Sequence, residues 1–137
     1  MDYLLNEQQI MIRDLARKVA DEKIRPVAAH YDETEEFAWD VMKAIADSDL
    51  FGVYIPEEYG GLGGGVLEMC LVAEEFSKAC GAIALGFAGT GLGTMPILLS
   101  GSDEQKKKYL PDIAKGKRLA SFCITEAEAG SDAGSIK

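Results

Sequence analysis

The sequence is short of the residue types that build self-contained catalytic centres: in 137 residues it has one histidine, three cysteines and one tryptophan. No Ser/His/Asp relay assembles convincingly around the lone His30. That residue falls near the end of the first predicted helix, where the helix dipole explains a histidine more often than catalysis does. Cys70, Cys80 and Cys123 are odd in number and lack C-x-x-C spacing, so neither a disulfide framework nor a zinc site is indicated, and a reducing compartment fits best. Positive charge is scarce as well. Fourteen basic residues against twenty-three acidic ones leave a net charge of -9, which would repel a phosphate backbone and excludes nucleic acid as an expected partner. Nothing after Met1 combines a basic region, an apolar core and a small-residue cleavage site, so no secretion or organelle signal is expected. Internal repeats and low-complexity tracts are also missing.

What is present is helical patterning. With 47% hydrophobic and 27% charged residues, the chain reads as a globular protein long enough to bury one core. Asn6 with Gln9 forms a capping box before an apolar stripe of Ile12, Leu15, Ala16, Val19, Ala20, Ile24 and Val27, and Pro26 should kink or end this helix. A second helix is predicted over 38–48, with Ala38, Val41, Met42 and Ile45 facing inward. Glycines from Gly60 to Gly65 make a loop. A third helix is predicted from Val66 to about Cys80 on a stripe of Val66, Met69, Cys70, Ala73, Phe76 and Cys80. The segment from Ala79 to Ser102 then carries no charge. Its glycines and Pro96 argue against a membrane span and for a helix buried on all sides, whose small residues admit neighbouring backbone or a ligand. Ser102 with Gln105 caps a last helix from Asp103 to about Ala114, ended by Gly116. Leu119 to Thr125 reads as an apolar strand.

Few residues suggest chemistry. The pairs Glu35–Glu36, Glu57–Glu58 and Glu74–Glu75 are sequence neighbours, which on a helix do not face one another as an acid/base pair requires. The Gly60–Gly65 loop lacks the lysine and Ser/Thr of a phosphate loop and is read as a structural turn. The segment Cys123-Ile124-Thr125-Glu126-Ala127-Glu128-Ala129-Gly130-Ser131-Asp132 differs, because an apolar strand runs into hydroxyls, carboxylates and a glycine. Thr125 and Ser131 can donate hydrogen bonds, and Gly130 admits close approach to the main chain. On chemistry alone, a ligand loop and an ordinary turn remain equally open.

That segment resembles the signature of the acyl-CoA dehydrogenase family, in which a small or apolar pair precedes Ser/Thr-Glu, two variable residues, a small residue and Gly-Ser-Asp. Ala127 stands where many relatives have proline. Ile55-Pro56-Glu57-Glu58-Tyr59-Gly60-Gly61-Leu62-Gly63, Leu92-Gly93-Thr94-Met95-Pro96-Ile97 and Gln105-Lys106-Lys107-Lys108-Tyr109-Leu110-Pro111 match in order and spacing. The resemblance implies an all-α helical bundle over 1–118 as the N-terminal domain, with the first strand of a flavin-binding β-domain beginning at 119–137. It implies FAD as cofactor, contacted by Phe122, Cys123, Ile124, Thr125, Gly130 and Ser131. Ser131 would also meet the CoA portion of the substrate, and Ala88, Gly89 and Leu92 would floor the acyl pocket. The implied reaction is α,β-dehydrogenation of an acyl-CoA thioester to a trans-2-enoyl-CoA, with electrons passed to an electron-transfer flavoprotein by a homotetramer. In relatives the catalytic base lies in a closing helical domain, so no residue of this chain is given that role. The implied location is the cytoplasm, or the mitochondrial matrix for a processed eukaryotic protein. An acyl-CoA oxidase or flavin monooxygenase of the same fold, or a helical interaction module without chemistry, are the alternatives.

Overall fold

The computed structural model describes residues 4–137; the reading of the amino terminus at Met1 lies outside them. The first predicted helix begins as α1, Glu7–Val19, where the Asn6 side chain accepts the Gln9 N–H at 2.8 Å and the Gln9 side chain accepts the Asn6 N–H at 3.0 Å. This reciprocal pair satisfies two donors that a helix start otherwise leaves bare. Pro26 has no N–H to continue the ladder. The chain widens into a π-turn at Ala20–Ile24, tightens into a 3-10 turn at Arg25–Val27 and resumes as α2, Ala28–Thr34. His30 therefore sits within α2 and not at the end of one long helix. Glu35, in the left-handed region at φ 57°, ends α2 by donating its N–H to the Tyr31 carbonyl.

The second predicted helix is α3, Trp39–Asp47, with the expected Ala38, Val41, Met42 and Ile45 all buried. The glycine loop follows, and then α4, Val66–Ala79, and α5, Gly81–Ser100. The last helix is α6, Asp103–Ala114, with its Ser102–Gln105 capping box in place and Gly116 following at φ 63°. Helix α4 lies between α1 and α5, and α6 packs on α5. Phe87 of α5 is fully buried at the centre, its ring 5.6 Å from that of Phe51, 5.5 Å from Phe76 and 6.3 Å from Tyr54.

Three expectations are corrected. On α4 the inward face is Leu71, Val72, Glu75 and Phe76, while Val66 and Cys70 are exposed. The apolar stripe was drawn a fraction of a turn off because it left out a carboxylate that the fold buries. Helix α5 is long and apolar enough to cross a membrane by length and composition, but it is not buried on all sides. It packs Ile83, Ala84, Phe87, Thr90, Gly91 and Thr94 inward and leaves Leu85, Leu92 and Leu99 exposed. Residues 119–125 are extended, but among the described residues they form no strand ladder, because a strand needs a hydrogen-bonded neighbour.

The buried carboxylate is Glu75, only 4% exposed. Arg17 of α1 donates two hydrogen bonds to it, each 3.0 Å, and Lys78 donates another at 2.9 Å. Arg17 thus ties α1 to α4. The Arg17 hydrogen bonds hold the Glu75 carboxyl down to about 2, from an ordinary value of 4.5, against the opposing effect of its burial. Since the folded value is depressed, this contribution is complete above pH about 4.5 and disappears as pH falls through about 2. The thermal midpoint is expected to fall more steeply across that window in the wild type than in Glu75→Gln. Parallel profiles measured by circular dichroism would refute the assignment.

Candidate functional site

Two surfaces meet in the part of the fold that carries the predicted site residues. The first is the open side of α5. The inward residues of this helix follow steps of three and four, so Leu85, Ala88, Gly89, Leu92 and Gly93 occupy the other side. Leu92 is 53% exposed, Ala88 and Gly89 are half-buried, and an added Cβ at Gly89 would meet nothing within 4 Å. Glycine at 89 is not demanded by packing. Its effect is to leave room.

Beneath this side α5 is stiffened from below. Thr90 donates its hydroxyl to the Gly86 carbonyl at 2.9 Å and Thr94 donates to the Thr90 carbonyl at 2.6 Å, so both buried hydroxyls are satisfied within the helix. The Tyr54 hydroxyl under them is buried and has no hydrogen-bond partner of good geometry among the described residues. Burial pushes its pKa up to about 12, an effect that the nearby Thr94 hydroxyl opposes. Tyr54 is therefore a neutral phenol at physiological pH. It serves as packing against Phe87.

The second surface is the segment after α6. Phe122 and Ile124 are 44% and 42% exposed, and Cys123 and Thr125 are exposed between and beyond them. No backbone hydrogen bond joins 119–125 to another segment among the described residues. Its N–H and C=O groups are consequently free for a ligand or an adjoining strand. At its end a tight turn closes, the Glu126 N–H donating to the Ala129 carbonyl at 2.8 Å and the Ala129 N–H returning to Glu126 at 3.4 Å. This turn buries Ala129 and leaves Gly130 and Ser131 exposed beyond it. Gly130 has open space where a Cβ would stand. Among the described residues the Thr125 and Ser131 hydroxyls have no partner. By contrast Asp132 accepts the Ser135 hydroxyl at 2.6 Å, and Glu128 accepts Lys137 at 2.7 Å. The free donors, the exposed Phe122 ring and Ile124 side chain, and the accessible glycine backbone are features that suit a planar heterocycle with polar edges.

The surfaces join at one point. Gly93 lies directly against the main chain of Ser121, so the segment crosses α5 one residue from Leu92. The structure thus brings Ser121, the residue before Phe122, against Gly93, the residue after Leu92. Gly89 and Gly130 are both open, with nothing within 4 Å of either Cβ position. Sequence reasoning had included Gly93 in a motif without giving it a role. A glycine flanked by the motif's Leu92 and Thr94 was the available signal, but its partner Ser121 was not deducible.

A family model described as "Acyl-CoA dehydrogenase, N-terminal domain" matches residues 6–117. A probable acyl-CoA dehydrogenase of Bacillus subtilis (strain 168) is 41% identical over 135 residues, covering 98% of this chain and 36% of the relative. The chain therefore spans about a third of the length of the curated relatives it matches. Among solved structures, butyryl-CoA dehydrogenase from Megasphaera elsdenii superposes with a TM-score of 0.91 at 30% identity, over 100% of this chain and 37% of that one. An acyl-CoA dehydrogenase from Bacillus anthracis, complexed with FAD, gives a TM-score of 0.87 at 37% identity, over 97% of this chain and 23% of that one.

Proposed function

Because the chain belongs to the acyl-CoA dehydrogenase family, matching its N-terminal domain, we propose that it supplies one wall of an acyl-CoA and FAD site. Residues 1–118 form the helical domain in this reading, and 119–137 open the flavin-binding domain. The observation that carries it is the meeting of an open, small-residue side of α5 with an exposed segment whose donors are unused among the described residues.

FAD, when bound, supplies a two-electron acceptor for hydride. This chain's own residues bind and orient. Phe122, Cys123 and Ile124 would present backbone and apolar surface to the flavin, Thr125 would donate its hydroxyl to it, and Gly130 and Ser131 would offer backbone and hydroxyl contacts. Ala88, Gly89 and Leu92 exclude water from the acyl chain and limit its reach. Ser131 is a second contact for the CoA portion. Holding thioester and flavin in register is the principal contribution of such a wall, since orientation accounts for much of the barrier reduction. The reaction proposed for the complete protein is formation of a trans-2-enoyl-CoA, with an electron-transfer flavoprotein as acceptor.

No residue of this chain is given the role of the base, which the resemblance puts in a closing helical domain, and the buried Glu75 is already committed to Arg17 and Lys78. The 137-residue chain alone is therefore expected to lack acyl-CoA-dependent dye reduction. Turnover by the purified chain, above a flavin-only control, would overturn this assignment of roles. In the complete flavin-loaded protein, Thr125→Val is expected to weaken FAD retention about tenfold, the worth of one hydrogen bond to a ligand. Equal FAD affinity in titration would remove Thr125 from the site.

A further inference from the structure

Close approaches to α5 glycines are of two kinds. At Gly86 and Gly91 the atoms that an added Cβ would crowd most belong to Met42 and Met69, flexible side chains able to swing aside. At Gly93 they are main-chain atoms: a Cβ would stand 2.7 Å from Ser121 N, 2.7 Å from Ser121 C and 2.8 Å from Ser121 O. Comfortable separations between such atoms are about 3.5 Å. No rotamer change relieves three backbone overlaps at once, so either the helix or the segment would have to retreat by roughly 0.7–1 Å.

The position matters because of what each side carries. Gly93 adjoins Leu92 and is one turn beyond Gly89, the residues facing the acyl chain in the proposed function. Ser121 immediately precedes Phe122 to Thr125. Among the described residues, residues 119–125 have no backbone hydrogen bond to hold them against the helices. The contact at Gly93 is therefore a direct backbone constraint on their distance from α5, beside the packing of Leu119 and Ala120 against the core.

We propose that Gly93 is a positioning residue: its missing side chain sets the spacing between the acyl-facing side of α5 and the flavin-facing segment, and hence between thioester and flavin. This rests on the reading of 119–131 as the flavin segment. A displacement of about 1 Å between reacting groups costs on the order of a hundredfold in rate.

In the complete flavin-loaded protein that carries these residues, Gly93→Ala is expected to lower kcat for acyl-CoA-dependent dye reduction at least about tenfold. KM should stay within about threefold and the flavin absorption maximum should move, the signature of misplacement as opposed to lost binding. Gly81→Ala is the matched control, being on the same helix with open space around it, and should behave as wild type. A Gly93→Ala protein with unchanged kcat and flavin spectrum overturns the proposal. If the wild-type protein binds no flavin, the reading of the segment has failed, and the spacing itself is then judged in the 137-residue chain. There a through-space NMR contact between the Gly93 α-hydrogens and the Ser121 amide is expected, and its absence overturns the spacing. That measurement also decides the matter if Gly93→Ala does not fold.

Discussion

Replacing Phe87 by alanine is expected to destabilise the chain by about 3–5 kcal/mol, enough to leave a small domain at the edge of folding. Phe87 has no exposed surface and stacks against Phe51, Phe76 and Tyr54, which come from a short 3-10 turn, from α4 and from the loop before the glycines. Three segments converge on one ring. Removing it leaves a cavity walled by rigid aromatics that cannot collapse inward, which places the cost at the upper end of the range. Guanidinium unfolding should show a lower midpoint with an unchanged slope; a loss under about 1 kcal/mol would mean that α5 is not held through this residue. Phe87→Leu, which retains most of the volume, should recover more than half of the loss.

The second large effect is expected in the glycine loop, where neighbouring glycines should respond differently. Gly61 packs against the Ile55 backbone so closely that an added Cβ would overlap its carbonyl. The loop cannot open there, since Leu62 N–H donates to the Gly52 carbonyl at 2.8 Å and Gly63 N–H to the Ile55 carbonyl at 2.9 Å. Gly61→Ala should therefore cost about 3 kcal/mol or more. Gly60, at φ 81°, has nothing within 4 Å of its Cβ position. Its requirement is conformational only, and Gly60→Ala should cost about 1–2 kcal/mol. Comparable losses in the two variants, measured by the same denaturant titration, would contradict the packing account.

Helix ends were the most legible part of the fold. Asn6 with Gln9 and Ser102 with Gln105 gave both capping boxes, because a cap uses residues three apart whose geometry is set as soon as the helix starts. The inward face of α3 was legible for a similar reason, since Val41, Met42 and Ile45 recur at helical spacing between Asp40, Lys43 and Asp47, with Trp39 the one large apolar residue left exposed. On α4 the reading failed at Glu75. A carboxylate is assigned to solvent by any rule of local patterning, and its burial depends on Arg17, 58 residues away in sequence. On α5 the pattern gave no direction at all. Its residues are uniformly small or apolar, so only contact with α4 and α6 distinguishes the buried Phe87 side from the open Leu92 side.

The candidate site divides in the same way. Thr125, Gly130 and Ser131 are proposed from the sequence because hydroxyl and glycine at the end of an apolar run have a local chemical meaning, and the resemblance to a family implies a flavin against them. Gly93 and Ser121 were not found as a pair, since neither residue states where the other lies.

What the sequence determined by itself was helices α1, α3, α4, α5 and α6, the capping boxes of α1 and α6, the break at Pro26 and the turn after Gly116. These depend on hydrogen bonds and backbone angles within a few residues of chain. The tertiary structure alone decided which side of α5 stays open, which carboxylate is buried and which glycine lies against Ser121, because those are distances between residues that the chain brings together only by folding.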